Sequence, residues 1–134
     1  MFHIRELFLI VFLILINICH CLLNLSNYLK LGNGSLICAG SVLGPDSCIG
    51  SGVIVNHLCS IDHDCYVGDF VHICPNSSLT GNVKIDSFST LGSGSKVLPG
   101  LKIGSNCYVG ACSLVTRDIP NNKKVVGIPA KIID

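Results

Sequence analysis

Tryptophan is absent from this sequence, methionine occurs once, and charged side chains make up only 13% of it. Such a low charge content beside 49% apolar residues excludes intrinsic disorder. Nine basic residues against eight acidic ones leave a net charge of +1, with no basic stripe or arginine cluster to track a phosphate backbone. Nucleic-acid binding is therefore not expected. No apolar run reaches the length that spans a bilayer; the longest uninterrupted one, residues 7–16, has ten residues. Cys-x-x-Cys pairs and Cys/His zinc signatures are missing too, and the nine cysteines are an odd number. They read as small buried hydrophobes in a reducing compartment rather than a disulfide scaffold or a metal site. At 134 residues the chain has room for one domain and a terminal appendage.

What is abundant is glycine, 14 residues, interspersed with Ile and Val, which suits a turn-dense β protein. From Leu31 an aliphatic residue returns every six positions through Ile37, Leu43, Ile49 and Val55 to Val115, so that fifteen units fill residues 31–120. Four residues after each comes a small or apolar one, as at Ser35, Ser41, Val53, Cys59, Cys65 and Cys107. These cysteines read as core filler. The position after each aliphatic is often glycine, as a bend with unusual φ/ψ would favour. A period of six fits neither a helix nor one long strand, so each unit is a short extended stretch followed by a turn.

This pattern resembles the hexapeptide-repeat acyltransferases. The resemblance implies an all-β fold, a left-handed parallel β-helix of triangular cross-section with three units per coil and about five coils. The left hand comes from the resemblance, because it runs against the usual crossover rule. Homotrimers with active sites between subunits are likewise what the family implies.

Three histidines lie in the repeat: His57, His63 and His72. His63 stands at a turn with Asp64 beside it, a pairing that makes imidazole a stronger general base or, equally, forms a surface polar cluster. Gly81 follows 18 residues later, directly above His63 in the next coil, where a bare backbone allows close approach and its N–H can hold an oxyanion. His72 lies half a coil from His63 and is expected to meet it only across a subunit boundary. His57 is expected to be a surface histidine.

The run 55–73, Val-Asn-His-Leu-Cys-Ser-Ile-Asp-His-Asp-Cys-Tyr-Val-Gly-Asp-Phe-Val-His-Ile, with Gly81-Asn82-Val83 and the ending Val126-Gly127-Ile128-Pro129-Ala130-Lys131, is similar to the sialic-acid O-acetyltransferase and bacillosamine-pathway amino-sugar N-acetyltransferase family. Agreement covers about 32–134. The resemblance implies His63 as proton acceptor, Asp64 raising its basicity, His72 contacting acetyl-CoA near the thioester, and Ser93 and Ala111 along the pantetheine arm. It also implies direct transfer from acetyl-CoA, the co-substrate, to a sugar hydroxyl or amine, with no resident metal and no acyl-enzyme.

Charge is uneven: residues 1–83 sum to −3 and residues 84–134 to +4, and Lys123, Lys124 and Lys131 read either as solvated lysines of the tail or as cations that meet CoA phosphates. The expected organisation is an apolar, helical segment over 1–30, the β-helix over 31–120 and a tail over 121–134. Family members carry a small acceptor-binding α/β domain ahead of the prism, where this sequence has about 30 residues. Membrane association through residues 7–23, a cap on the prism, a signal peptide and a truncated gene product are the readings of that segment. Use of acetyl-CoA points to the cytoplasm. Three alternatives compete: a silent trimeric scaffold, an acetyltransferase for another small acceptor such as serine, and a zinc prism of the carbonic anhydrase kind.

Overall fold

The computed structural model describes residues 29–133, together with the backbone of strands at 18–19 and 24–25. The chain winds through three parallel sheets in turn. The first holds β1 (Ile18–Cys19), β4 (Leu36–Ile37), β7 (Ile54–Val55), β10 (His72–Ile73), β13 (Thr90–Leu91), β16 (Tyr108–Val109), β18 (Lys124–Val126) and β19 (Lys131–Ile132). The second holds β2 (Asn24–Leu25), β5 (Val42–Leu43), β8 (Ser60–Ile61), β11 (Ser78–Leu79), β14 (Lys96–Val97) and β17 (Leu114–Val115). The third holds β3 (Lys30–Leu31), β6 (Cys48–Ile49), β9 (Tyr66–Val67), β12 (Lys84–Ile85) and β15 (Lys102–Ile103). Through β17, partners lie 18 residues apart, as in Ile73 with Leu91 and Ile85 with Ile103, so three hexads make one coil of a parallel β-solenoid with about five turns.

Each repeated aliphatic is the second residue of its strand and points to the axis; Ile37, Val55, Ile73, Leu79, Ile85, Leu91 and Ile103 are all completely buried. Burying such a side chain contributes about 1.5–3 kcal/mol. The fourth residue after it is buried as well, and there serine has a definite task. Ser89 Oγ donates to Gly104 O at 2.7 Å and accepts the Cys107 N–H at 2.9 Å, stitching two coils from inside. Ser35, Ser41 and Ser47 repeat that pair of bonds. Cys59, Cys65 and Cys107 are core residues as expected, and their thiols reach carbonyls inside the stack at 3.1, 3.2 and 3.1 Å (Cys74, Thr80 and Pro120). At this position they act as weaker serines.

The turn follows one rule. In each hexad from the one at Leu31 to the one at Val109 the third residue after the aliphatic has positive φ, whether it is glycine (Gly34, Gly52), Asp or Asn (Asp46, Asp64, Asn82), or a bulky residue (Leu58, Phe70, Phe88); the hexad at Val115 departs from it. The expected bend at the glycine directly after the aliphatic is therefore corrected. Gly44 has no positive φ; a Cβ there would lie 2.7 Å from the carbonyl carbon of Asp62 and the N of His63 in the coil above. Close stacking of backbones, not freedom of φ, selects glycine at that position. Bulky residues at positive φ use the same economy of space, since Leu58 covers Gly40 and the Phe70 ring covers Gly52. Phe70 and Phe88 stack with ring centroids 5.4 Å apart.

The second residue after each aliphatic sits at the outside of the corner, and the coil above offers its N–H no carbonyl. The neighbouring N–H groups are paired, as Asp62 N–H is to Leu79 O and Asp64 N–H to Pro45 O. Proline occupies this position at 45, 75 and 99 without loss of a bond.

Both ends differ from expectation. The helix expected over residues 1–30 falls mostly outside the described residues, as does most of the 7–23 segment, and the two stretches before Leu29 that are described are strands. β1 and β2 pair with β4 and β5, and Cys19 and Leu25 continue the period of six backwards, next to the dense apolar stretch of residues 7–23 that obscures where the period starts. Among the described residues no helix is long and apolar enough to cross a membrane. The expected tail over 121–134 is corrected as well: β18 adds to β16, and β19 folds back antiparallel on β18 to cover the end of the first sheet.

Candidate functional site

His63 and Asp64 occupy the corner between the second and third sheets, between β8 and β9. Asp64 adopts φ 57°, which turns its carboxylate back to the preceding residue, so that His63 Nδ1–H donates to Asp64 Oδ2 at 2.8 Å. Both side chains are more than half exposed (56% and 60%), so the pair adds little stability and is open to a ligand. Asp62 Oδ1 accepts the His63 N–H at 2.8 Å, supplying the bond that the coil above does not. The hydrogen bond to Asp64 first, and then the charge of Asp62, hold the imidazole above the ordinary value of 6.5.

With Nδ1 committed to Asp64, Nε2 is the free nitrogen. It lies against Gly81 of the next coil: a Cβ there would be 2.6 Å from both Nε2 and Cε1. Gly81 is a corner residue with an outward N–H, and that N–H makes no hydrogen bond among the described residues. Pro45 and Pro99 stand one coil below and one coil above this pair in the same column, where they offer no N–H.

The remaining candidates lie elsewhere on the prism. His72 begins β10 on the first sheet, the face opposite the His63 corner, so one chain does not bring the two together. Ser93 and Ala111 stack at the corner between the first and second sheets, where the Ala111 N would lie 2.5 Å from a Cβ on Gly92. His57 is at that corner too, joined to His72 through Asn56, whose Nδ2 is 3.4 Å from His72 Nε2 and whose Oδ1 is 2.8 Å from both the N and Nδ1 of His57. Neither Asp62 nor Asn56 was apparent as a site residue in the sequence. Their signal is an Asx directly before a corner histidine, in Asn56-His57 and Asp62-His63 alike. Among the described residues no group of three or more His, Cys, Asp or Glu is placed to hold a metal. A cavity of about 220 Å³ at the C-terminal end is lined by Arg117 and Lys131 over an apolar floor of Val115, Ile119 and Val125.

Residues 82–117 match the family profile described as bacterial transferase hexapeptide (six repeats). Over those residues the chain carries the repeats of the hexapeptide family. Among solved structures this hexapeptide-repeat chain is similar to PerB from Caulobacter crescentus in complex with CoA and GDP-perosamine, at 38% identity and a TM-score of 0.88, over 90% of this chain and 58% of that one. It is also similar to the acetyltransferase domain of PglB from Neisseria gonorrhoeae in complex with acetyl coenzyme A, at 36% identity and a TM-score of 0.85, over 87% and 57%. A serine acetyltransferase of Synechococcus elongatus is 32% identical over 109 residues, 74% of this chain and 45% of that protein. The hexapeptide-repeat chain thus spans about half the length of these relatives.

Proposed function

We propose that the chain transfers an acetyl group from acetyl-CoA to a hydroxyl or amine of a sugar, by direct attack with His63 as general base. The observation that carries this is the Nε2 edge of an Asp64-paired imidazole packed against the unpartnered N–H corner of Gly81. The similarity to proteins solved with CoA, acetyl coenzyme A and GDP-perosamine supports both substrates.

In this reading the acceptor lone pair attacks the thioester carbonyl carbon while its proton passes to His63 Nε2. Charge that develops on the carbonyl oxygen is met by the Gly81 N–H. The C–S bond then breaks, and the CoA sulfur leaves with a proton returned by the imidazolium. Asp64 stabilises that imidazolium through Nδ1. Ser93 and Ala111, small and stacked, leave a shallow corner along which a pantetheine arm fits, and His72 lies below them on the adjoining face. Because His63 and His72 stand on opposite sides of one prism, the complete site is built from two copies, in a homotrimer. Arg117 lies three coils above His63 on the same corner, about 14 Å along the prism, and with Lys131 it supplies cations for phosphate groups.

Acetyl-CoA-dependent CoA release, measured against amino sugars, nucleotide-sugars, sialic acid and serine, tests the reading. Release that requires a sugar acceptor and is lost in His63→Ala supports it. Serine as the best acceptor, as the 32% identical relative suggests, would overturn the sugar assignment while keeping the chemistry. A folded chain that binds acetyl-CoA but transfers to none of them would be a scaffold.

A further inference from the structure

We infer that Asn56 fixes the tautomer of His72, so that the neutral imidazole carries its proton on Nδ1 and serves as a hydrogen-bond donor. The inference rests on the reading of His72 as an acetyl-CoA contact only for its functional meaning; the tautomer itself follows from donor and acceptor geometry.

A side-chain amide can usually be turned over without changing its shape, which leaves its oxygen and nitrogen undecided. Here the backbone decides. The N–H of His57 is a donor in every protonation state, and the Asn56 atom 2.8 Å from it must be the oxygen. His57 Nδ1, also 2.8 Å from that oxygen, adds a second donor that holds the amide in the same orientation. The NH2 group of Asn56 therefore faces His72, and it has hydrogens to give and no lone pair to accept with. At 3.4 Å from Nδ2, the Nε2 of His72 is then the acceptor and carries no proton. In a neutral ring the proton is left on Nδ1. The Cys74 sulfur stands 3.9 Å from Nδ1 and 3.8 Å from Nε2, too evenly placed to favour either nitrogen, and burial keeps its thiol protonated. The other outward residues of this sheet that flank His72, Ile54 and Thr90, bring no charge.

His63 at its corner and His72 on the first sheet are thereby set to opposite tasks by the polar side chain that each one meets. Asp64 accepts the hydrogen bond of His63 Nδ1–H and leaves Nε2 as a base, whereas the Asn56 amide donates to Nε2 of His72 and leaves Nδ1–H as a donor. A neutral donor of this kind suits the carbonyl oxygen of a thioester and cannot serve as a competing base.

The test is a long-range proton–nitrogen correlation spectrum of the full chain labelled with 15N-histidine, without substrate and at a pH well above the ordinary titration range of histidine. His72 is assigned by the signal missing from His72→Gln. The expected pattern is a pyrrole-like Nδ1 and a pyridine-like Nε2. In Asn56→Asp, which keeps the shape but offers two acceptor oxygens, Nε2 becomes the protonated nitrogen. In His57→Pro, tolerated at this corner as Pro75 is in the next coil, both anchors of the amide are gone and the two tautomers mix. A protonated Nε2 in the parent chain, or an unchanged pattern in Asn56→Asp, overturns the inference. Loss of the functional reading would instead show as absent turnover in a chain whose His72 tautomer is as stated.

Discussion

Replacing Gly81 by alanine separates the chemistry of the His63 corner from its architecture. Gly81 does not have positive φ, so its backbone accepts alanine, and its N–H remains in place. The new Cβ would stand 2.6 Å from His63 Nε2 and Cε1, about 0.8 Å short of the distance at which ordinary contact begins. The neighbour that must yield is the end of an exposed side chain, so the ring swings outward and stability changes by no more than about 1 kcal/mol. Displacement of a base by nearly 1 Å costs roughly 10²-fold in turnover, about 2.7 kcal/mol of transition-state stabilisation. Gly44→Ala provides the contrast, because its Cβ would meet the backbone of Asp62 and His63 at 2.7 Å and nothing flexible can move. That variant is expected to lose about 1–3 kcal/mol of stability. Urea unfolding and chromatographic measurement of CoA release, run on both variants, read the two effects independently. Turnover at the parent level in a folded Gly81→Ala would refute the placement of the catalytic nitrogen against this glycine.

The raised pKa of His63 puts the acid limb of kcat/KM above 6.5, since the base must be neutral, and Asp64→Asn should slide that limb down towards 6.5 while lowering the plateau. The sign for stability is opposite: the pair favours the folded state below the ordinary value, and this contribution fades as pH rises through the raised one, which a pH series of unfolding midpoints would register as a slight decline. Ser89→Ala leaves the buried Cys107 N–H and Gly104 O without partners, and about 2–4 kcal/mol of unfolding free energy should disappear in urea titration. Burial pushes the Cys59 thiol up to about 11, so mass spectrometry after brief native alkylation should find exposed Cys112 modified and Cys59 untouched.

The period of six located every strand from β3 to β17 in advance, because each aliphatic from Leu31 to Val115 must face the axis and one residue out of phase would face solvent. The same arithmetic placed Gly81 over His63. It failed where the signal is not hydrophobic. Positive φ at Leu58, Phe70 and Phe88 is imposed by the turn and leaves no trace in side-chain type. Ahead of Leu31 the period continues through Leu25 and Cys19, but the unbroken apolar run of residues 7–16 and the apolar residues that follow it up to Leu23 carry no period and obscure where it starts. Beyond Val115 the spacing slips, and β18 and β19 are held by pairing that no hexad announces. Asp62 and Asn56 escaped notice because their work is hydrogen bonding to a corner N–H, a demand visible only once the coil is closed.

That outward N–H, left over at each corner by the way the coils pair, gives the scaffold a store of unused valence. Proline removes it at 45, 75 and 99, and carboxylates or amides consume it at His57 and His63. Only small changes separate a corner that is capped from one, like Gly81, that presents a bare donor. A stack of this kind can therefore acquire or retire an anion-stabilising point by single substitutions, without disturbing the core that holds it together.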